Sequence, residues 1–267
     1  MINNNMNKIA LVTGATSGIG KATARALAIE GYNLIITGRR SKMLFDFALE
    51  LQSKSKIDKS KSKNYIEVLP LCFDIRSQED VKNNLCSLPP EWSNISVLVN
   101  NAGLALGLNP INEGVVDDWE RMIDTNIKGM LYITRIVSNM MIERGGGHII
   151  NICSIAGKET YTNGNVYCAT KHAVDALTKG MRLDLLSHNI RVSQICPGAV
   201  ETEFSIVRFK GNTNKAENVY KGYEPLHPED IANAIMFVVN CPPHVNINDM
   251  VIMPTSQANS TVFNKKL

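Results

Sequence analysis

The feature that most limits what this chain can fold into lies near its start. A β-branched run from Lys8 to Thr13 breaks into Thr13-Gly14-Ala15-Thr16-Ser17-Gly18-Ile19-Gly20 and restarts as a helical pattern through Glu30. Ala22, Ala26, Leu27 and Ile29 mark the apolar side of that helix, and Gly31 stops it. Strand, glycine turn and helix in that order form a cradle in which backbone N–H groups and a helix N-terminus hold a phosphate. The phosphate-facing positions expected from this are Gly14, Thr16, Ser17, Gly18, Ile19 and Gly20. The spacing Gly14-x-x-x-Gly18-x-Gly20 departs from the G-x-G-x-x-G of the ordinary dinucleotide turn. Many tight turns carry glycine for backbone reasons only, so the turn needs support from the rest of the chain.

That support is a regular alternation. Further strands are expected from Asn33 to Thr37, Tyr65 to Phe73, around Val97 to Val99, His148 to Ile152, Ile190 to Ile195 and Asp249 to Met253. Helices are expected from Ser41 to Gln52, Gln78 to Leu88, Asp117 to about Met140, Tyr167 to about Ser187 and Pro228 to Val239. Alternating strands and helices imply an α/β fold whose parallel sheet is covered on both faces. A chain of 267 residues, 44% apolar and 20% charged, suits one large domain spanning residues 1–267. A net charge of +3 gives no warrant for a nucleic-acid partner. No apolar run approaches the length needed to cross a bilayer, and Met1 to Asn7 lacks a secretory pattern. Six scattered cysteines, without metal-ligand spacing, point to free thiols in a reducing compartment, the cytoplasm, and to no metal site. The Lys-rich stretch from Ser53 to Lys63 reads as a solvated mobile loop. Glu203 to Tyr223 shows little periodicity and reads as an irregular lid.

The second strand runs into Gly38-Arg39-Arg40, where an NAD-binding unit would place a carboxylate on the ribose. A carboxylate repels a 2′-phosphate, whereas a guanidinium grips it with paired hydrogen bonds, so NADP is expected over NAD. Asp74, beside Ile75 at the end of the third strand, can accept from an adenine amino group or cap the next turn. Asn100-Asn101-Ala102-Gly103 suits both a turn and a cofactor ribose. Asn126 lies mid-helix, where an Asn is locally unfavourable; it implies a specific partner or a satisfied structural amide.

The chemistry concentrates between Asn151 and Lys171. Ser154 follows a buried strand, and Tyr167 and Lys171 fall one turn apart on one helix face. An ammonium near a phenol favours the phenolate, which makes Tyr167 a usable acid or base. Ser154 can hold a carbonyl oxygen while Tyr167 exchanges its proton. This is equipment for carbonyl–alcohol interconversion with a separate hydride carrier.

With the glycine turn, Asn100-Asn101-Ala102-Gly103, Asn126, Ser154 with Tyr167-x-x-x-Lys171, and Pro197-Gly198 in order, the chain resembles the short-chain dehydrogenase/reductase family. Within it the likeness is to the NADP-dependent 3-hydroxy acid dehydrogenases, which act on serine, allo-threonine or malonic semialdehyde-type compounds. Leu88-Pro89-Pro90-Glu91-Trp92, Leu104-Ala105-Leu106-Gly107, Thr202-Glu203-Phe204, Val207-Arg208-Phe209-Lys210-Gly211 and His244-Val245-Asn246-Ile247-Asn248 carry it. The resemblance implies a doubly wound, Rossmann-like sheet of about seven strands and a homotetramer. It also implies Tyr167 as general acid/base, Ser154 as the residue orienting the substrate oxygen, and Asn126 as the residue fixing a relay water. Lys171 would lower the Tyr167 pKa and hold the nicotinamide ribose. Asn101, Ala102, Gly103, Pro197, Gly198, Val200 and Thr202 would join the cofactor contacts. Cys153 and Cys168 stand where glycine or another small residue is expected, and would narrow the pocket. Arg208 and Lys210 offer partners for a substrate carboxylate, Arg208 the better by its planar fork; alternatively both are solvated charges on the lid. The rival readings are a 3-oxoacyl-carrier-protein reductase of the same fold and a dinucleotide-sensing protein without catalysis.

Overall fold

The computed structural model describes residues 8–57 and 65–266, so Met1 to Asn7 and most of the expected Lys-rich loop lie outside the described residues. Seven parallel strands form one sheet in the order β3-β2-β1-β4-β5-β6-β7. They are β1 (Ile9–Val12), β2 (Asn33–Gly38), β3 (Val68–Cys72), β4 (Ile95–Asn100), β5 (Gly147–Ile152), β6 (Ile190–Pro197) and β7 (Asp249–Ile252). Alternate residues go to opposite faces, as the pleat requires. Ala10, Val12, Leu34, Ile36, Val97 and Val99 enter one apolar layer under α1 (Gly18–Ile29), α2 (Ser41–Ile57) and, further along the chain, α9 (Pro228–Val239). Leu11, Ile35, Leu98, Ile149 and Val192 enter the other, under α3 (Gln78–Leu85), α5 (Met130–Glu143) and α6 (Asn165–Asp184). Burial on both faces is why these strands read as continuous apolar runs.

Chain order reverses between β1 and β4, each of which pairs in register with the other (Val12 with Val99). A crevice opens beyond the carboxyl ends of strands at such a reversal, and this places the site.

Several boundaries differ from expectation for local reasons. The helix from Ser41 continues to Ile57, so the start of the expected loop is helical. The long helix after Asp117 is α4 (Val116–Ile123) and α5 joined by a π-helical turn, Asp124–Gly129. Its N-cap is Val115, and Asp117 and Asp118 sit in the first turn rather than capping it. The segment from Glu203 is not irregular: it holds α7 (Glu203–Arg208), capped by Thr202 Oγ1 accepting from Phe204 N at 3.1 Å, and α8 (Thr213–Tyr220), capped by Asn212. Both helices are too short to show a period.

Candidate active site

β1 delivers Thr13 into the crevice, where its Oγ1 accepts from the backbone N–H groups of Asn101 and Ala102, each at 3.0 Å. Gly14 and Gly18 then take left-handed φ values of 67° and 52°, which glycine adopts without strain. Gly20 is required by space instead: a Cβ there would lie 2.3 Å from Asn101 Nδ2 and 2.5 Å from the Gly14 carbonyl oxygen. Asn101 Nδ2 donates to the carbonyls of Thr13 at 2.8 Å and Gly14 at 3.2 Å. The Asn101 amide therefore fastens the loop. No side chain caps the first turn of α1, which leaves backbone donors facing the cleft.

Arg39 and Arg40 stand at the mouth. Arg40 places Nε and Nη2 on Thr16 Oγ1 at 3.3 and 3.0 Å and Nη1 on Glu203 Oε2 at 2.7 Å. Arg39 approaches Asp74 to 3.8 Å. Asp74 forms a turn: its Oδ1 accepts from Arg76 N at 3.0 Å, and its Oδ2 from the Arg76 guanidinium at 2.6 Å. Burial acts to raise the Asp74 carboxyl, but the hydrogen bonds and charge of Arg76, then Arg39, hold it below the ordinary value.

Past β5, Ser154 turns into the same crevice. Its Oγ accepts from Ala156 N at 3.1 Å and donates to Pro197 O at 3.4 Å. Tyr167, in the first turn of α6, is buried and lines the cleft with Ser154. Lys171, 7% exposed, donates from Nζ to Ile152 O at 2.9 Å. The expected depression of the Tyr167 pKa by Lys171 is not found. Burial dominates and raises the phenol well above its ordinary value, with Tyr161 adding to the rise and Arg208 and Ser154 opposing it. The same burial lowers the Lys171 pKa. The ammonium is held on the strand side, on a carbonyl, and does not offset the desolvation of the ring.

Glycine loop, arginines and Ser154, Tyr167 and Lys171 line one cleft of about 370 Å³, together with Asp74, Ile75, Asn101, Ala102, Gly103, Pro197, Gly198, Val200 and Thr202. Gly20 supports the loop from behind. Asn126, expected as the residue that fixes a water, uses both ends of its amide elsewhere. Oδ1 accepts from Leu104 N at 2.8 Å, and Nδ2 donates to Leu104 O at 2.8 Å and Thr170 Oγ1 at 3.0 Å. Its side-chain amide clasps the π-helical turn to the loop behind Tyr167.

Arg208 reaches the site, whereas Lys210 does not. The Arg208 guanidinium donates to the Tyr161 hydroxyl and stacks 5.2 Å from the Tyr167 ring centroid. Its Nε is buried without a hydrogen-bond partner among the described residues. Lys210 turns outward to Asp118, at 2.8 Å. Cys153 lines the cleft wall, while Cys168 is sealed beneath Tyr167 in a small apolar cluster with Leu104, Leu106 and Met122. Tyr161, Asp118 and Glu203 are site-shaping residues that sequence reasoning missed. The one local signal was Gly164, where a Cβ would meet the Tyr161 ring at 2.1 Å.

A family model described as short chain dehydrogenase matches residues 8–212. An NADP-dependent 3-hydroxy acid dehydrogenase of Shigella flexneri is 47% identical over 251 residues, covering 94% of this chain and 96% of that protein. A protein of the same description from Schizosaccharomyces pombe is 41% identical over 260 residues, 97% of each chain. Among solved structures, the closed form of a serine dehydrogenase complexed with NADP+ superposes with a TM-score of 0.87 at 44% identity, covering 97% of this chain and 100% of that one.

Proposed function

The chain belongs to the short chain dehydrogenase family, and on that premise we propose that it transfers hydride between NADP(H) and a small 3-hydroxy acid or 3-oxo acid. The observation that carries this is the convergence of Ser154, Tyr167 and Lys171 on the cleft that begins at the glycine loop. Loop and helix fit a dinucleotide: an uncapped helix N-terminus faces the cleft, and a Cβ at Gly20 would collide with the loop's own groups. NADP, when bound, supplies the hydride donor or acceptor. Arg39 and Arg40 would hold its 2′-phosphate. Lys171 holds the nicotinamide ribose.

Ser154 Oγ orients the substrate oxygen by a hydrogen bond. Tyr167 then gives its hydroxyl proton to a carbonyl oxygen undergoing reduction, or takes a proton from an alcohol undergoing oxidation. Arg208 donates from its unpartnered Nε edge to the substrate carboxylate, which selects an acid over a neutral alcohol. The described chain acts as one unit, since one sheet carries every part of the cleft. Leu183, at the end of α6, and Leu186, just beyond it, are 77% and 73% exposed and support a homo-oligomer, proposed as a tetramer in the cytoplasm. No described helix is long and apolar enough to cross a membrane.

NADPH oxidation with 3-oxo acids, and NADP reduction with 3-hydroxy acids, test the reading directly. Tyr167→Phe should lower kcat by about 10³-fold, within the range of a general acid/base. A variant as fast as the parent would remove Tyr167 from the reaction.

A further inference from the structure

Strands β5 and β6 keep their register beyond the last paired residues. Ile152 faces Ile195, and Cys153 N donates to Ile195 O at 2.8 Å, which sets Cys153 directly beside Cys196. Both side chains enter the apolar layer under α5 and α6. Aligned neighbours on adjacent strands lie about 4.8 Å apart, inside the Cα separation of roughly 4.4–6.8 Å that a disulfide spans. Cys153 is buried and also belongs to the cleft wall next to Ser154, the side from which a small solute would approach. Its Sγ donates to the Lys171 carbonyl at 3.3 Å, and Cys196 Sγ donates to Asp249 Oδ1 at 3.3 Å. No step of the proposed reaction uses either thiol.

We propose that Cys153 and Cys196 close a reversible disulfide under hydrogen peroxide, and that closure switches off the reductase; the second half rests on the function proposed above. Cys153 is the attacking sulfur. The adjoining Cys196 side chain, working against burial, and then the Lys171 ammonium favour its thiolate. Cys196 is held protonated by the neighbouring Cys153 and by burial. The Cys153 thiolate attacks one peroxide oxygen: an S–O bond forms, the O–O bond breaks, and the departing hydroxide takes a proton and leaves as water. Cys196, losing its proton, attacks the Cys153 sulfur: the S–S bond forms, the S–O bond breaks, and the second hydroxide takes that proton. Two sulfurs lose two electrons, and peroxide becomes two waters. Side chains that stand side by side must lean together to bond, and strained disulfides are the readily reduced ones. That lean draws Cys153 away from the Lys171 carbonyl and pulls on its neighbour Ser154, two contacts on which the site depends.

The test treats the purified full chain with hydrogen peroxide and reads two quantities. Peptide mass should show Cys153 joined to Cys196 with the loss of two hydrogens. The NADPH-dependent rate should fall about tenfold and return with dithiothreitol. Cys196→Ala should keep the starting rate and lose the reversible inhibition, with Cys196→Ser as a second variant should the first fail to fold. The proposal is overturned if both thiols still react with an alkylating agent after inactivation, or if either variant is inhibited as reversibly as the parent. A chain that forms the link but never turned over substrate would sink the assigned reaction while leaving the disulfide standing.

Discussion

The two ends of the cleft are built from different materials. At the glycine end the working groups are backbone N–H donors, and what holds them comes from loops next to neighbouring strands: Thr13, Asn101 and the bare Cα of Gly20. At the Arg208 end the working groups are side chains, held by residues scattered through the chain. Tyr161 accepts from Arg208 across 47 positions, and Gly107 N donates to the Arg208 carbonyl at 3.0 Å. Asp118 pins the next turn through Lys210. A backbone-built end tolerates almost no added atom, whereas a side-chain-built end can be weakened by degrees.

The contrast is broken most severely at Gly20. In Gly20→Ala the new methyl must displace the Asn101 amide and the Gly14 carbonyl, neither of which is the far end of a flexible chain. Overpacking costs about 1–3 kcal/mol, and the two Asn101 hydrogen bonds to the loop go with it. NADPH affinity should fall about 100-fold, the equivalent of roughly 2.7 kcal/mol, in a fluorescence titration. An unchanged Kd would show that the loop's shape is not what binds the cofactor.

Arg208 tests the other end. Arg208→Met keeps the stem packed and removes the charge, so kcat/KM for a 3-hydroxy acid should fall about 30-fold, near 2 kcal/mol for a charged hydrogen bond. An uncharged secondary alcohol should lose far less. On that alcohol the variant has a second signature. Arg208 is among the groups that oppose the burial-driven rise of the Tyr167 pKa, so its removal leaves the phenol still harder to ionise. Oxidation needs the phenolate, and its alkaline rise should therefore move to higher pH. Equal losses on acid and alcohol would take Arg208 out of substrate recognition.

The same contrast explains how much could be read beforehand. The parallel sheet, the cradle and Ser154, Tyr167 and Lys171 were legible because each depends on residues close together in sequence, with period or spacing as the signal. What those neighbours do to one another was less legible. Lys171 is one turn from Tyr167, yet burial outweighs its charge, because spacing carries no information about desolvation. The side-chain partners of Asn126, Leu104 and Thr170, lie 22 and 44 positions away and left no local signal. Glu203 on Arg40, across 163 positions, had no signal at all.

The smallest expected effect discriminates most finely between a lid that merely covers and one that positions. Asp118 is 4% exposed, while the Lys210 side chain bonded to it is 54% exposed. In Asp118→Asn the carboxylate's shape stays and Lys210 is free to hydrate, so the cost is about 1 kcal/mol rather than that of a stranded buried charge. Lys210 is held at a left-handed φ of 52°, a conformation costing a non-glycine residue roughly 1–2 kcal/mol. Loosening its anchor lets that turn relax and carries Arg208, two residues back, away from the Tyr167 ring. KM for a 3-hydroxy acid should rise about fivefold, the same 1 kcal/mol expressed in binding, with kcat nearly constant and the uncharged alcohol unaffected. A loss shared equally by both substrates would mean that Asp118 supports the fold at large, and that the side-chain-built end has no separate positioning element.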